Sequence, residues 1–380
     1  MKYKICTITG SRADFGILEP LLMEIKNDKK LKLDLIITGS HVSRVFGSSI
    51  EEVKKKNFST KNIIKIIKKK DDGLSILNQS AFLINQMSKK LKKLKPNCIL
   101  ILGDRFEIFI SAYCAFLMNI PIVHLHGGEE TIGSLDNALR HGISQMADLH
   151  FVSTNQYFKK ILSLGKEKKT IFNYGSLAIE NFSNINFLDK VKLEQNINFK
   201  FKKNNLLITL HPTTKENITF EDQINPTLKA LKKFKEVGKI FTVPNNDIGS
   251  KFFIKKIRSF IKKDKNSKFI KSMGFENYSS CLKYVDCVVG NSSSGIIEAP
   301  YFNIFSLNIG NRQLGRIKGK SIIDVNYNSL EISKVIKSIL IKKKKNIKFK
   351  NPYYKKNTKK NIKSKIKMFL KKIKIKKYDN

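Results

Sequence analysis

Short runs rich in β-branched and aliphatic residues recur along this chain, separated by amphipathic stretches of helical length. This alternation limits the fold more than any other feature. A strand followed by a helix-length crossover returns parallel to the strand before it, so the repeated pattern predicts βαβ units and parallel sheets. In the first half the strands are expected at 4–9, 33–38, 98–103, 120–125, 149–153 and 170–175, with helices such as Ile17–Lys26, Ile76–Leu94 and Phe106–Leu117 between them. The Asn- and Lys-rich stretch 181–205 breaks the rhythm and reads as a linker or irregular crossover. The alternation restarts at 206–210, 239–243, 268–271, 287–290 and 305–308. Two doubly wound α/β domains follow, with ligands expected in a cleft, outside the carboxyl ends of the strands. The expected boundaries are 1–180 for the first domain and 181–358 for the second. A terminal helix over 359–380 carries an apolar stripe of Ile362, Ile366, Phe369, Leu370 and Ile373, and is expected to pack back on the first domain.

A length of 380 residues suits two domains, each with its own core. The formal charge of +42 has the magnitude of a nucleic-acid binder, but its distribution points elsewhere. Lysine accumulates with Ile and Asn, as in 61–70 and in the segment 341–380, which has eighteen lysines and one acid, Asp379. That is drift toward lysine on solvated faces, and no specific nucleic-acid binding is expected. Cys6, Cys98, Cys114, Cys281 and Cys287 show no CxxC spacing and read as buried small hydrophobes in a reducing cytoplasm. The apolar run after the N-terminus is too short for a signal peptide or a membrane span. No metal site is expected, because no HxxxH or HExxH spacing occurs.

Against this lysine background only seven arginines remain, and Arg12, Arg105, Arg140, Arg312 and Arg316 all fall in compact motifs. Guanidinium presents a rigid fork that matches phosphate or carboxylate oxygens in pairs, which an ammonium does not. GNSSSGIIEAP (290–300) follows a strand and opens a helix, so Ser292, Ser293 and Gly295 are candidates to hold a diphosphate. Glu298 is placed to accept from ribose hydroxyls, and NIGNRQLGR (308–316) brings Arg312 and Arg316 beside that anion site. In the first domain TGSRADFG (9–16) follows the first strand, and Gly10, Ser11, Arg12 and Asp14 make it a candidate phosphate-facing loop. GDRFE (103–107), HLHGGEE (124–130) and SLDNALRH (134–141) supply Asp104, Arg105, His126, Glu129, Asp136, Arg140 and His141, of which the carboxylates and imidazoles are suited to proton transfer. LITLHPTT (207–214) adds His211 and PNNDIGS (244–250) adds Asn245 and Asp247.

Taken in order, these motifs resemble the UDP-N-acetylglucosamine 2-epimerase family, in the hydrolysing branch that feeds sialic or legionaminic acid biosynthesis. The resemblance covers nearly all of residues 1–330. It implies a GT-B fold of two Rossmann-like domains facing a central cleft, a UDP-sugar substrate, no cofactor, and a homo-oligomer, dimer or tetramer. It also implies that Arg12, Ser292, Ser293 and Arg312 contact the diphosphate and that Arg105 lines the nucleotide site. Glu298 then contacts the ribose and Met273 and Tyr278 the uracil, while Asp104 and Asp136 do acid/base work and His211 lies near the phosphates. Many relatives carry Glu at the third position of H-x-E-G-G, where this chain has His126. Either His126 or Glu129 is left as the base for the C2 proton. The competing readings are a non-hydrolysing epimerase and a GT-B glycosyltransferase.

Overall fold

A computed structural model describes residues 2–42, 49–66, 72–131, 135–183, 185–213, 216–245, 248–271, 273–341 and 348–373. The chain divides into one unit of Met1–Glu129, Asp136–Ser183 and Tyr353–Asn380 and another of Glu130–Leu135 and Asn184–Pro352.

The first unit is built on a parallel sheet of β1 (Tyr3–Thr9), β2 (Leu31–Ile37), β3 (Asn62–Ile63), β4 (Cys98–Leu102), β5 (Ile122–Leu125), β6 (Leu149–Val152) and β7 (Ile171–Asn173). Its order is β3-β2-β1-β4-β5-β6-β7, so the winding reverses between β1 and β4. Strict alternation of side chains places Cys98, Leu100 and Leu102 of β4 in one core layer and Ile99 and Ile101 in the other. The helix Thr358–Lys372 joins the first of these layers through Ile362, Ile366 and Leu370. Lys363 pairs with Glu24 of the helix Arg12–Lys26 (2.5 Å), and Lys367 with Asp28 just past its end (2.7 Å). Burial of the three apolar side chains, at about 1.5–3 kcal/mol each, outweighs those solvated pairs.

The second unit holds β8 (Asn205–Thr209), β9 (Gly238–Thr242), β10 (Ser267–Ile270), β11 (Cys287–Gly290), β12 (Phe305–Ile309) and β13 (Ile322–Val325), all parallel, in the order β10-β9-β8-β11-β12-β13. Here the winding reverses between β8 and β11. Leu206 and Ile208 of β8, Cys287 and Val289 of β11 and Leu307 and Ile309 of β12 share one core layer under the flanking helices.

Two edge strands, β3 and β13, were not expected from the sequence. One is two residues long inside a lysine-rich run and the other four, too short to show a period. The stretch 181–205 is partly ordered rather than a plain linker. A helix, Lys190–Ile197, is capped by Asp189, whose carboxylate accepts from Lys192 N at 2.8 Å, and it buries Leu193 and Ile197. Two apolar residues four apart are a weak signal among so many Asn and Lys. The terminal helix ends at Lys372, and 374–380 lie outside the described residues. All five cysteines are free and buried.

Candidate functional site

In both sheets the polar motifs gather where the strand order reverses, which in open α/β sheets is where the loops part and leave room for a ligand. In the first unit, Thr9 ends β1 and its hydroxyl meets His41 Nε2 at 2.9 Å, while His41 Nδ1 meets Ser49 Oγ at 2.6 Å. Burial lowers the His41 pKa to about 4, helped by the nearby Arg12 and Arg105, so the ring stays neutral. Ser11 caps the helix Arg12–Lys26 by accepting from Asp14 N at 3.2 Å, and Pro20 lies within that helix. Arg12 stands 4.0 Å from Glu52. The Asp14 Oδ2 atom is shut off from solvent without a hydrogen-bond partner. Burial pushes that carboxyl up to about 7, with Arg105 opposing and Glu107 and Asp104 reinforcing the rise.

Glu107 is the group beneath this loop that sequence reasoning missed. It is fully buried and its Oε1 accepts from Arg105 Nε at 2.8 Å. A side chain on Gly10 would come within 2.8 Å of Glu107 Cγ, and one on Gly39 within 2.6 Å of Glu107 Oε1. The two glycines therefore exist in part to let the loops close over this carboxylate. The motif GDRFE contained the residue, but a Glu two positions after Arg reads as solvated until the sheet is assembled.

Asp104 is held by Arg140, which is 2% exposed and pairs Nη2 with Asp104 Oδ2. Arg140 thus orients a carboxylate rather than a phosphate. Asp136 opens the helix Asp136–Met146, one turn before Arg140, and is partly exposed. His124 is buried, with Nε2 2.9 Å from Gly103 O and Nδ1 3.2 Å from Ser144 Oγ, and burial drives its pKa down to about 4. Both nitrogens are thus committed to structure.

His126 differs. Its N–H continues the ladder to Phe151 O at 2.8 Å, and then its backbone turns to φ +61°. This left-handed conformation costs a non-glycine residue on the order of 1–2 kcal/mol. Gly127 follows because a side chain there would sit 2.9 Å from His124 Nδ1, and Gly128 because its φ is +74° with Tyr157 O behind it. The turn brings His126 Nδ1 to 2.9 Å from Glu129 Oε1, and Ser153 Oγ donates to the same oxygen at 3.1 Å. Among the described residues His126 Nε2 is buried without a hydrogen-bond partner.

In the second unit Asn291 follows β11 and brackets the chain leaving β8. It accepts from His211 N at 2.7 Å and donates Nδ2 to His211 O at 2.8 Å. His211 Nδ1 accepts from Asn245 N at 3.0 Å, so in the neutral ring the proton resides on Nε2. Asn291 O in turn accepts from Arg312 Nη1 at 3.3 Å and Gln313 Nε2 at 2.9 Å. The motif GNSSSG, NIGNRQ and His211 are thereby one connected group, with Asn291 and Gln313 as members that sequence reasoning overlooked. Arg316 lies one turn on, its N–H donated to Gln313 O at 3.2 Å.

Ser292 caps the five-residue helix Ser293–Ile297, and Ser294 donates to it through Oγ at 3.1 Å. Gly295 donates its N–H to Ser292 O at 3.2 Å and faces Ser306 Oγ of β12, so its smallness serves helix-to-strand packing. Glu298 has its carboxyl pushed up to about 7 by burial, with the neighbouring Tyr278 hydroxyl drawing it partly back. The Tyr278 phenol is pushed well up by burial and by that carboxylate. Met273 is buried just before the helix Gly274–Leu282. Arg258 lies over the Phe269 ring, 5.8 Å from its centroid, away from these motifs. Arg44 and Asp247 lie outside the described residues. Among those residues no cluster has the makings of a metal site and no helix is long and apolar enough to cross a membrane.

Three similarities bear on this arrangement. A Campylobacter jejuni protein named GDP/UDP-N,N'-diacetylbacillosamine 2-epimerase (hydrolyzing) is 40% identical over 331 residues, covering 87% of this chain and 86% of that protein. The Escherichia coli polysialic acid biosynthesis protein P7 is 34% identical, covering 97% and 94%. The structure of S. aureus MnaA with UDP superposes with a TM-score of 0.79 at 20% identity over 98% of each chain, which fixes the fold as two Rossmann-like domains of the GT-B type. The family description UDP-N-acetylglucosamine 2-epimerase matches residues 23–367, and the chain belongs to that family.

Proposed function

We propose that this protein is a hydrolysing UDP-sugar 2-epimerase. Its substrate is UDP-N-acetylglucosamine or UDP-N,N'-diacetylbacillosamine, and its products are UDP and the free 2-epimer, ManNAc or 2,4-diacetamido-2,4,6-trideoxymannose. The observation that carries this reading is 40% identity, across most of both chains, to a relative whose name specifies hydrolysing 2-epimerisation of a UDP-sugar. In the first step a base takes the C2 proton, the C2–H electrons form a C1=C2 double bond, and UDP leaves with the C1–O electron pair. Water then adds to the 2-acetamidoglucal, hydroxyl to C1 and hydrogen to C2, on the face that inverts that centre.

The difficulty is a weakly acidic proton and an anionic leaving group, so a positioned base must act together with cationic and N–H stabilisation of departing UDP. We assign Asp104, His126, Glu129 and Asp136 to the proton transfers and His211 to the phosphates. We assign Arg12, Ser292, Ser293, Gly295 and Arg312 to the diphosphate, and Asp14 and Arg105 to the nucleotide site. Glu298 takes the ribose, and Met273 and Tyr278 the uracil. The first unit is thus the acid/base domain and the second the UDP-binding domain.

We also assign the protein to the cytoplasm, which its five free, buried cysteines suit. Self-association is supported by the uncharged run Gly73–Met87, which exposes Leu74, Leu77 and Phe82, and by Phe116 and Leu117 on the helix packed beside it. Light scattering after gel filtration should give at least a dimer; a monomer at micromolar concentration removes that part.

The deciding experiment is incubation with each nucleotide sugar in D2O, followed by NMR. Free sugar carrying deuterium at C2, plus UDP, is expected. UDP-ManNAc identifies a reversible epimerase, sugar transfer only with an added acceptor identifies a glycosyltransferase, and unlabelled substrate throughout overturns the proposal.

A further inference from the structure

We propose that His126 Nε2 is the base that removes the C2 proton, and that Glu129 is a positioning residue acting through it. The inference rests on the hydrolysing-epimerase reading and decides which group of the HLHGGE turn meets the sugar.

The argument begins with the backbone. A histidine at φ +61° is not where a ladder residue belongs, and the two glycines after it are fitted to that turn by the contacts a side chain on either would make. The turn places Nδ1 2.9 Å from Glu129 Oε1. A carboxylate oxygen only accepts, so Nδ1 carries the proton and Nε2 carries the lone pair. Glu129 is itself 3% exposed and committed: Ser153 Oγ donates to the same oxygen at 3.1 Å. Arg140 donates Nη1 to the Glu129 carbonyl at 2.5 Å while its Nη2 holds Asp104. One arginine thereby ties the HLHGGE turn to the GDRFE loop. His126 Nε2 is left buried and without a hydrogen-bond partner among the described residues.

The arrangement is the one that nucleophile–base–carboxylate systems use to fix an imidazole tautomer: the carboxylate orients the ring and stabilises the imidazolium that forms. In the elimination step Nε2 takes the C2 proton, the C2–H pair becomes the C1=C2 bond, and UDP departs with the C1–O pair. The imidazolium then holds two N–H groups, one of them still donating to Glu129.

The test uses the full chain, UDP-N-acetylglucosamine and UDP-N,N'-diacetylbacillosamine in D2O, and UDP as a binding probe. His126→Gly suits the left-handed backbone, and His126→Asn tolerates it without offering a basic nitrogen. Both are expected to lose product formation on the order of 10²–10⁴-fold, to bind UDP within about twofold of the parent, and, for the glycine variant, to recover about tenfold or more with added imidazole. Glu129→Gln is expected to fall less than either and to gain nothing from formate. A His126→Gly enzyme that keeps its rate, or that binds UDP but shows no imidazole rescue, overturns the assignment, as does a dead Glu129→Gly variant restored by formate. In each of those cases the parent enzyme still turns over, so only the base assignment is lost; a parent that yields no C2-labelled sugar takes down the enzymatic reading and this inference with it.

Discussion

Asn291 satisfies both backbone groups of His211, accepting its N–H at 2.7 Å and donating to its carbonyl at 2.8 Å. One amide side chain thus replaces the ladder partners that β8 and β11 lose where the winding reverses. Asn291→Ala leaves two buried main-chain groups unpaired, and a loss of about 2–4 kcal/mol in urea unfolding is expected. An isosteric Asp replaces the donor with an acceptor and should restore little. Full stability of the alanine variant would show that the loop re-pairs elsewhere.

Arg312 tests the value of a planar fork. Its Nη1 is engaged with Asn291 O at 3.3 Å, which sets the plane of the guanidinium. Arg312→Lys keeps the charge and loses the paired donors, so kcat/KM is expected to fall about tenfold or more, about 1.4 kcal/mol or more. Unchanged kinetics would remove the two-oxygen argument.

Arg105 and the fully buried Glu107 form an ion pair of 2.8 Å that depends on two glycines above it. Glu107→Ala removes the acceptor of Arg105 Nε and is expected to weaken UDP binding about tenfold or more in calorimetry. Glu107→Gln retains an acceptor for Nε and should lose less. Gly10→Ala pushes into the Glu107 side chain and should destabilise the fold as well as the loop, by about 1–3 kcal/mol in thermal unfolding.

The Glu298 carboxyl gives a pH signature. Its pKa is raised from the ordinary 4.5 to about 7 in the folded protein. Between those values the folded state keeps a proton that the unfolded chain has released, so this group's contribution to stability is full below pH 4.5 and is lost as pH rises toward 7. Denaturant titrations over that range should show Glu298→Gln with a flatter or more rising limb than the parent. Parallel pH curves for the two proteins would mean that the carboxyl is solvated.

The sequence by itself determined the fold class, the family and the motifs that carry the candidate site. Hydrophobic period and length are local properties, and they set nearly every strand of both sheets. Motif residues that end strands, such as Asp104 and His211, were legible because the residue after a strand has no ladder role and must be there for another reason. Short edge strands and the helix Lys190–Ile197 were not legible, because two to four apolar positions in lysine- and asparagine-rich surroundings give no period. The tertiary structure decided which polar groups face one another across the sheet reversals. Only there does Glu107 become the buried partner of Arg105, Arg140 the holder of Asp104, and Gly295 a residue packed against Ser306. The proposal that His126 rather than Glu129 is the base rests on φ +61°, one 2.9 Å contact and the buried Nε2. Such pairings join residues far apart in the chain, or depend on a turn that local propensity disfavours, and packing alone supplies the energy that holds them.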